Sequence, residues 1–198
     1  MSVETTRRKL MCSTSWLGLS EGMQLVVSAQ KVPSPLDHLL LQIDAASQNG
    51  LHLVAISMAV ALPDICVSLA SEDGRSDRRR YKDWCAENLT GDAFSYISGD
   101  DLYSIRCGVL HNGRFGDLKH NVERVVFALP GGISITNCVI NDAYVYTVSE
   151  FCRNLCRAAA RWYEAHKDEQ NVKANLPRMM SYHPDGLTPY TQGIPVIA

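Results

Sequence analysis

Arg106 and His111 are the two side chains of this sequence whose types and positions best suit chemistry on a phosphate. They lie in segment 101–113, DLYSIRCGVLHNG, which has the periodicity of a helix. At about 100° per residue, Arg106 projects among the apolar residues at 102, 103, 109 and 110. A charge on an apolar face needs a partner, and these neighbours on its own helix offer none. The sequence therefore predicts that Arg106 meets a negative group from elsewhere.

Two partners for Arg106 fit this prediction. A carboxylate from another helix, for example Asp64 or Glu87, would form an ion pair of a common kind that contributes little net stability. Alternatively, the guanidinium is kept for an anion such as a phosphate, whose oxygens it matches as a fork.

His111 occupies the last turn of the same helix. The free carbonyl groups there favour a protonated imidazole. Beside Asn112 the ring is either a helix cap or an acid/base group next to an anion-binding arginine. An ideal helix sets residues 106 and 111 about 140° apart. They converge if the arginine bends, if the helix end unwinds, or if a second subunit completes the site.

The spacing Arg106-x4-His111, on a helix that ends Leu-His-Asn-Gly, resembles the Arg-x4–6-His motif of the HEPN superfamily. These are helical-bundle proteins, and many are metal-independent endoribonucleases that act as toxins or in antiphage defence. The stretch LYSIRCGVLHNG also resembles a group of uncharacterised bacterial HEPN-like proteins. The specific part of the resemblance covers residues 98–113.

The resemblance implies a site shared by two copies of the chain in a homodimer. Arg106 would bind the scissile phosphate of RNA, and His111 would act as general base or general acid. Ser104, Tyr103 and Asn112 would support these two residues. The product would be a 2′,3′-cyclic phosphate, and no metal or other cofactor would be needed. A toxin of this kind implies an antitoxin protein as a further partner.

Cys107 follows the arginine where many active members place a polar residue, and a thiol is a poor hydrogen-bond donor. This favours an alternative function, a catalytically inactive HEPN-like module that binds a nucleotide, RNA or a protein partner. A third possibility is a structural dimer in which an acid of the same chain neutralises Arg106.

Arg153, Arg157 and Arg161 are four residues apart and form one stripe on the last long helix. They are either a solvated face, helped by Glu150 and Glu164, or a track for the RNA backbone.

Helix-start signals of the hydroxyl-x-x-acid type indicate how the chain positions these groups. Together with periodicity they predict a mainly α protein, a HEPN-like bundle of about five helices, over residues 34–169. Pro63 predicts a bend or break in the second helix. The predicted helix starts are at Ser34, Leu51, Ser76, Ser98 and Thr147.

Two β-favouring runs, at 125–129 and 133–140, flank Pro130-Gly131-Gly132. They predict a β-hairpin at about 124–141, inserted before the last long helix. Residues 1–33 are predicted to be an irregular arm or short strand. Residues 170–198 are predicted to be a proline-rich tail, draped over the surface or disordered.

Composition limits the class of protein. The 198 residues are 46% hydrophobic and 20% charged, which excludes wholesale disorder. A net charge of −2 excludes attachment to nucleic acid by bulk positive charge. Seven cysteines without a framework spacing predict free thiols in the cytoplasm. The apolar stretch 51–70 contains Pro63 and Asp64, and is predicted to be a core helix rather than a membrane span.

Overall fold

The computed structural model describes residues 33–116, 118 and 123–198, so the predicted N-terminal arm lies outside it except for Pro33. These residues form a mainly helical protein with two small sheets, which confirms the predicted class. The α-helices are α1 (Pro35–Gln48), α2 (His52–Ala70), α3 (Arg78–Asn88), α4 (Gly99–Cys107), α5 (Val148–His166) and α6 (Gln170–Asn175). The strands are β1 (Arg124–Ala128), β2 (Cys138–Ile140), β3 (Ala143–Thr147), β4 (Tyr182–His183) and β5 (Val196–Ile197).

Helix α2 forms the centre of the protein and packs against α1, α3, α4, α5 and α6. Its sequence is apolar on all sides because neighbouring helices cover most of its surface. A break at Pro63 does not occur, because α2 is one helix from His52 to Ala70, while a bend at Pro63 stays a prediction. By length and apolar composition α2 qualifies as a membrane span among the described helices, and half of the apolar window is buried inside the protein.

Two of the predicted helix starts are confirmed in full. Ser34 Oγ accepts a hydrogen bond from the Asp37 amide at 3.1 Å, and the Asp37 carboxylate accepts one from the Ser34 amide at 2.9 Å. Ser98 and Asp101 form the same reciprocal pair at the start of α4. These capping boxes satisfy amide groups that the first helical turn leaves without partners.

The hydroxyls of Ser76 and Thr147, which the sequence also predicts to be caps, have different partners. Asp77, not Ser76, caps α3, and its side chain accepts from the amide of Arg80. Thr147 precedes α5, but its Oγ1 accepts from the amide of Ile135 at 2.8 Å instead of capping the helix. The Ser76 hydroxyl donates to Asp64 instead of capping α3. In both cases a contact with a distant residue uses the hydroxyl that the local sequence predicts to be a cap.

The predicted hairpin around Pro130 is wrong. Strand β3 lies between the other two, pairing parallel with β1 and antiparallel with β2. The tight connection is therefore Asn141-Asp142, between β2 and β3, with Asn141 at φ +56°. All five residues of β3 are buried, so this strand gains most by taking the central position.

The prediction of a draped or disordered tail is also wrong for its first part. Helix α6 packs against α2, and Val172 is fully buried. The Asn175 amide donates to the carbonyl oxygens of Ser68, Leu69 and Ser71, at 3.4, 3.1 and 2.7 Å. These bonds satisfy carbonyls at the C-terminal end of α2 and hold the C-terminal segment in place.

Candidate functional site around Arg106

Helix α4 does not end as an ideal α-helix. After Cys107 the chain continues through one π-helical turn, Gly108–Asn112, and the Gly113 amide donates to the Gly108 carbonyl five residues earlier. Gly113 then ends the turn in the left-handed conformation at φ +65°. A π-turn closes i→i+5 hydrogen bonds, so it is wider than an α-helical turn.

This wider turn brings Arg106 and His111 together. Nη1 of Arg106 lies 3.4 Å from Nε2 of His111. The altered helix end is one of the three predicted routes to convergence, and in this chain it accompanies the contact between the two side chains. An arginine only donates, so this contact is a hydrogen bond when Nε2 carries the lone pair and the imidazole is neutral. His111 itself is exposed.

Two glycines allow the unwound turn. A Cβ atom at Gly108 would stand 2.4 Å from the Gly116 nitrogen and 2.5 Å from the Arg114 oxygen. A Cβ atom at Gly116, which has φ +79°, would stand 2.3 Å from the Ser104 carbonyl oxygen. The loop 113–116 thus folds directly back on α4, at a distance that only glycine backbone permits.

Arg106 is paired inside its own chain. Its Nε donates to Oδ2 of Asp64 at 2.6 Å, and Oδ1 of Asp64 accepts from the Ser76 hydroxyl at 2.7 Å. The arginine and aspartate side chains are only 23% and 16% exposed. The predicted pairing with an acid of another helix is confirmed, and Asp64, not Glu87, is the partner. Partial burial opposes ionisation of Arg106, but Asp64 and Cys107 together outweigh it and raise the pKa of the guanidinium.

Tyr103 contributes a second contact to Arg106. The guanidinium carbon lies 5.7 Å from the centre of the Tyr103 ring, and the Arg78 guanidinium carbon lies 5.6 Å from the same centre. Such cation–π contacts stabilise a cation over an aromatic face. Cys107 Sγ lies 3.8 Å from Nη1 of Arg106, a weak acceptor where a polar neighbour was expected.

Ser104 and Asn112 are placed differently from Tyr103. Ser104 lies against the loop at Gly116, where its carbonyl and hydroxyl oxygens limit the space for a side chain. Asn112 is exposed at the end of the π-turn. A supporting role for these two residues stays a prediction.

Arg153, Arg157 and Arg161 all lie on the exposed face of α5. Arg153 pairs with Glu150, and Arg161 Nη2 donates to the Asn88 carbonyl at 3.4 Å. These local contacts fit a solvated face. Within the described residues no hydrogen bond or ion pair joins the three arginines to Arg106 or His111.

A cavity of about 770 Å³ adjoins Arg106 on the side of Asp64. Its walls come from α1, α2, the loop 74–76 and the C-terminal segment 175–197. The sequence did not predict this cavity, because residues far apart in the chain build it and the predicted tail forms part of its wall.

Comparison of the chain with known proteins identifies no relative. The chain matches no protein-family model, no curated protein and no solved structure.

Proposed function

We propose that this protein is a metal-independent endoribonuclease of the HEPN type. The observation that carries the proposal is the contact between an exposed imidazole and a positioned guanidinium, Nε2 of His111 and Nη1 of Arg106 at 3.4 Å. A cation that binds a phosphate and a group that moves protons are the two components that RNA cleavage by its own 2′-hydroxyl requires.

Arg106 is held before any substrate arrives. Asp64 binds Nε and the Tyr103 ring faces the guanidinium, so the remaining nitrogens keep their direction toward His111. A group fixed in this way loses little entropy when it binds a phosphate oxygen, which is the advantage of a preorganised site. In this proposal Asp64 is a positioning residue for Arg106.

The proposed reaction transfers two protons. Neutral His111 accepts the proton of the 2′-hydroxyl, and the 2′-oxygen forms a bond to phosphorus while the bond from phosphorus to the 5′-oxygen breaks. A protonated imidazole gives a proton to the leaving 5′-oxygen, so the products are a 2′,3′-cyclic phosphate and a free 5′-hydroxyl. Because one imidazole cannot be base and acid in the same step, the proposal includes a homodimer in which each His111 serves one role.

The proposal also covers the path of the RNA and the setting of the enzyme. Arg153, Arg157 and Arg161 would contact backbone phosphates, and this binding would weaken as salt is raised. The six cysteines of the described residues are free thiols, which fits a reducing cytoplasm. A toxin or defence enzyme of this kind would have an antitoxin protein as partner.

The test is cleavage of a labelled RNA in the presence of EDTA. We expect cleavage by the wild type, with cyclic phosphate ends, and a loss of roughly 10²–10⁴-fold in His111→Gln. Arg106→Ala should lose activity to a similar extent. Arg79→Gln is the matched control, because Arg79 is 89% exposed and lies on α3. Intact RNA with the wild type, or equal cleavage by all the variants, would overturn the proposal.

A binding module without catalysis is the second candidate function. One observation favours it: Cys107 offers only a weak contact beside Arg106. The pairing of Arg106 with Asp64 is instead the arrangement expected of the third possibility, a structural dimer. The binding module predicts that the wild type retains RNA or a nucleotide on a filter but leaves it uncut. Retention that disappears in Arg106→Ala, without any cleavage by the wild type, would establish it in place of the nuclease.

A further inference from the structure

The cavity beside Asp64 has a charged part. Of the described residues that line it, Arg75, Arg106 and Arg178 are cationic and one, Asp64, is a carboxylate. Three positive charges against one negative charge leave an excess of two positive charges. Asp64 is already engaged by Arg106 and Ser76, whereas neither Arg75 nor Arg178 forms a salt bridge within the described ranges.

The loop 74–76 brings these charges together. Arg178 Nη1 donates to Oδ1 of Asn175 at 3.0 Å, and a Cβ atom built at Gly74 would stand 3.0 Å from the same Nη1. Arg75 is the next residue of the loop, and Ser76 after it binds Asp64. One short loop therefore joins the Arg178 guanidinium to the pair of Asp64 and Arg106.

The rest of the cavity is mainly apolar. Polar groups also line it, among them Gln42 and Ser181. A site with a cationic end, an apolar wall and a few hydrogen-bonding groups is suited to a small amphipathic anion, and about 770 Å³ is a usual size for such a site. The apolar lining residues include Leu39, Met58, Ile65, Leu69, Met179 and Ile197.

We propose that this cavity binds a phosphate monoester that carries an apolar body. A phosphate monoester has close to two negative charges at neutral pH, which matches the excess charge of the lining. Guanidinium groups match phosphate oxygens as forks. Inorganic phosphate would leave the apolar wall in contact with water, and a neutral apolar molecule would make no use of the excess positive charge at Arg75 and Arg178, whose side chains are exposed.

The proposal does not depend on RNA cleavage. The cavity lies on the Asp64 side of Arg106, and His111 is not among its lining residues. A ligand could therefore bind there whether or not the protein is a nuclease. Binding measured without RNA separates failure of this proposal from failure of the proposed nuclease function.

Isothermal calorimetry with the full chain tests the ligand class. The probes are adenosine monophosphate and decyl phosphate, which offer the same head group on a nucleoside and on an alkyl chain. Inorganic phosphate is the third probe, which has no organic group attached to the phosphate. We expect at least one of the two monoesters to bind, with inorganic phosphate at least tenfold weaker, and the preferred monoester then identifies the source. No binding of either monoester, or equal binding of inorganic phosphate, would overturn the proposal.

Matched variants test the location. Leu39→Trp fills the cavity from α1, whereas Leu41→Trp adds the same ring on the same helix at a site that is 62% exposed. We expect Leu39→Trp to weaken the monoester at least tenfold and Leu41→Trp to leave it unchanged. Arg178→Gln, at an exposed side chain, should weaken it about tenfold through loss of a charge-assisted hydrogen bond. Wild-type affinity in both Leu39→Trp and Arg178→Gln would place the ligand elsewhere and refute the site.

Discussion

His111 Nε2 lies 3.4 Å from Arg106 Nη1 because the helix that carries both residues widens into a π-turn between them. On an ideal α-helix the same two residues would point about 140° apart. The contact therefore depends on the backbone of the turn as much as on the two side chains. It also depends on Gly108, which leaves room for the loop that closes the turn.

The first prediction concerns Gly108. Gly108→Ala would place a Cβ atom 2.4 Å from the Gly116 nitrogen, so the loop must shift and the π-turn with it. We expect a loss of about 1–3 kcal/mol in the free energy of unfolding, measured with urea, and loss of RNA cleavage. Gly132→Ala is the control, since a Cβ atom there meets nothing within 4 Å. Equal stability of the two variants would show that the turn tolerates a side chain.

Asp64→Asn tests the pair that holds Arg106. The substitution removes the charged acceptor from a guanidinium that is 23% exposed, so we expect a loss of about 1–3 kcal/mol in unfolding free energy. Asp83→Asn breaks a surface pair with Arg79 and should change stability little. If Asp64 positions Arg106, cleavage of RNA also falls in Asp64→Asn, and retained cleavage would contradict that role.

Asn175→Ala tests the attachment of the C-terminal segment. The Asn175 side chain satisfies three carbonyl groups of the α2 end and is buried, so its removal should cost about 1–3 kcal/mol in unfolding free energy. Asn171→Ala removes one bond, to the Ala70 carbonyl, and should cost less. The reverse order in chemical denaturation would show that α6 is held by other contacts.

Alkaline pH should destabilise the protein through its buried thiols. Burial raises the pKa of Cys152 and Cys156 to about 12, so the folded state keeps protons that the unfolded state loses above pH ~8.5. Since the unfolded state then binds fewer protons, stability is complete below that pH and falls as pH rises toward the folded pKa. The slope is about 1.4 kcal/mol per pH unit for each such thiol.

Urea unfolding at pH 7.5, 9 and 10 measures this loss. Cys152→Ala is the control, because it removes one of the buried thiols and should give a shallower decline with pH. A stability that stays constant up to pH 10 in the wild type would contradict the raised pKa values.

Local sequence was sufficient where a single turn decides the outcome. Ser34 and Ser98, each followed three residues later by an aspartate, form capping boxes as predicted, because all their partners lie within four residues. The sequence also predicts that Arg106 needs a negative partner, since its helical neighbours Leu102 and Leu110 carry no charge. These features need no knowledge of the rest of the chain.

Tertiary structure decided which partners were chosen. Asp64 rather than Glu87 meets Arg106, Ser76 binds Asp64 instead of capping α3, and Thr147 binds the amide of Ile135. Strand β3 lies at the centre of the sheet because both of its faces are buried there. The two β-favouring segments on either side of Pro130 do not show this pairing. The cavity likewise exists only because α6 docks on α2 and carries Arg178 toward Gly74, a contact between residues about a hundred positions apart. Short-range hydrogen bonds are encoded in residue spacing, whereas long-range pairs depend on which surfaces the folded chain brings together.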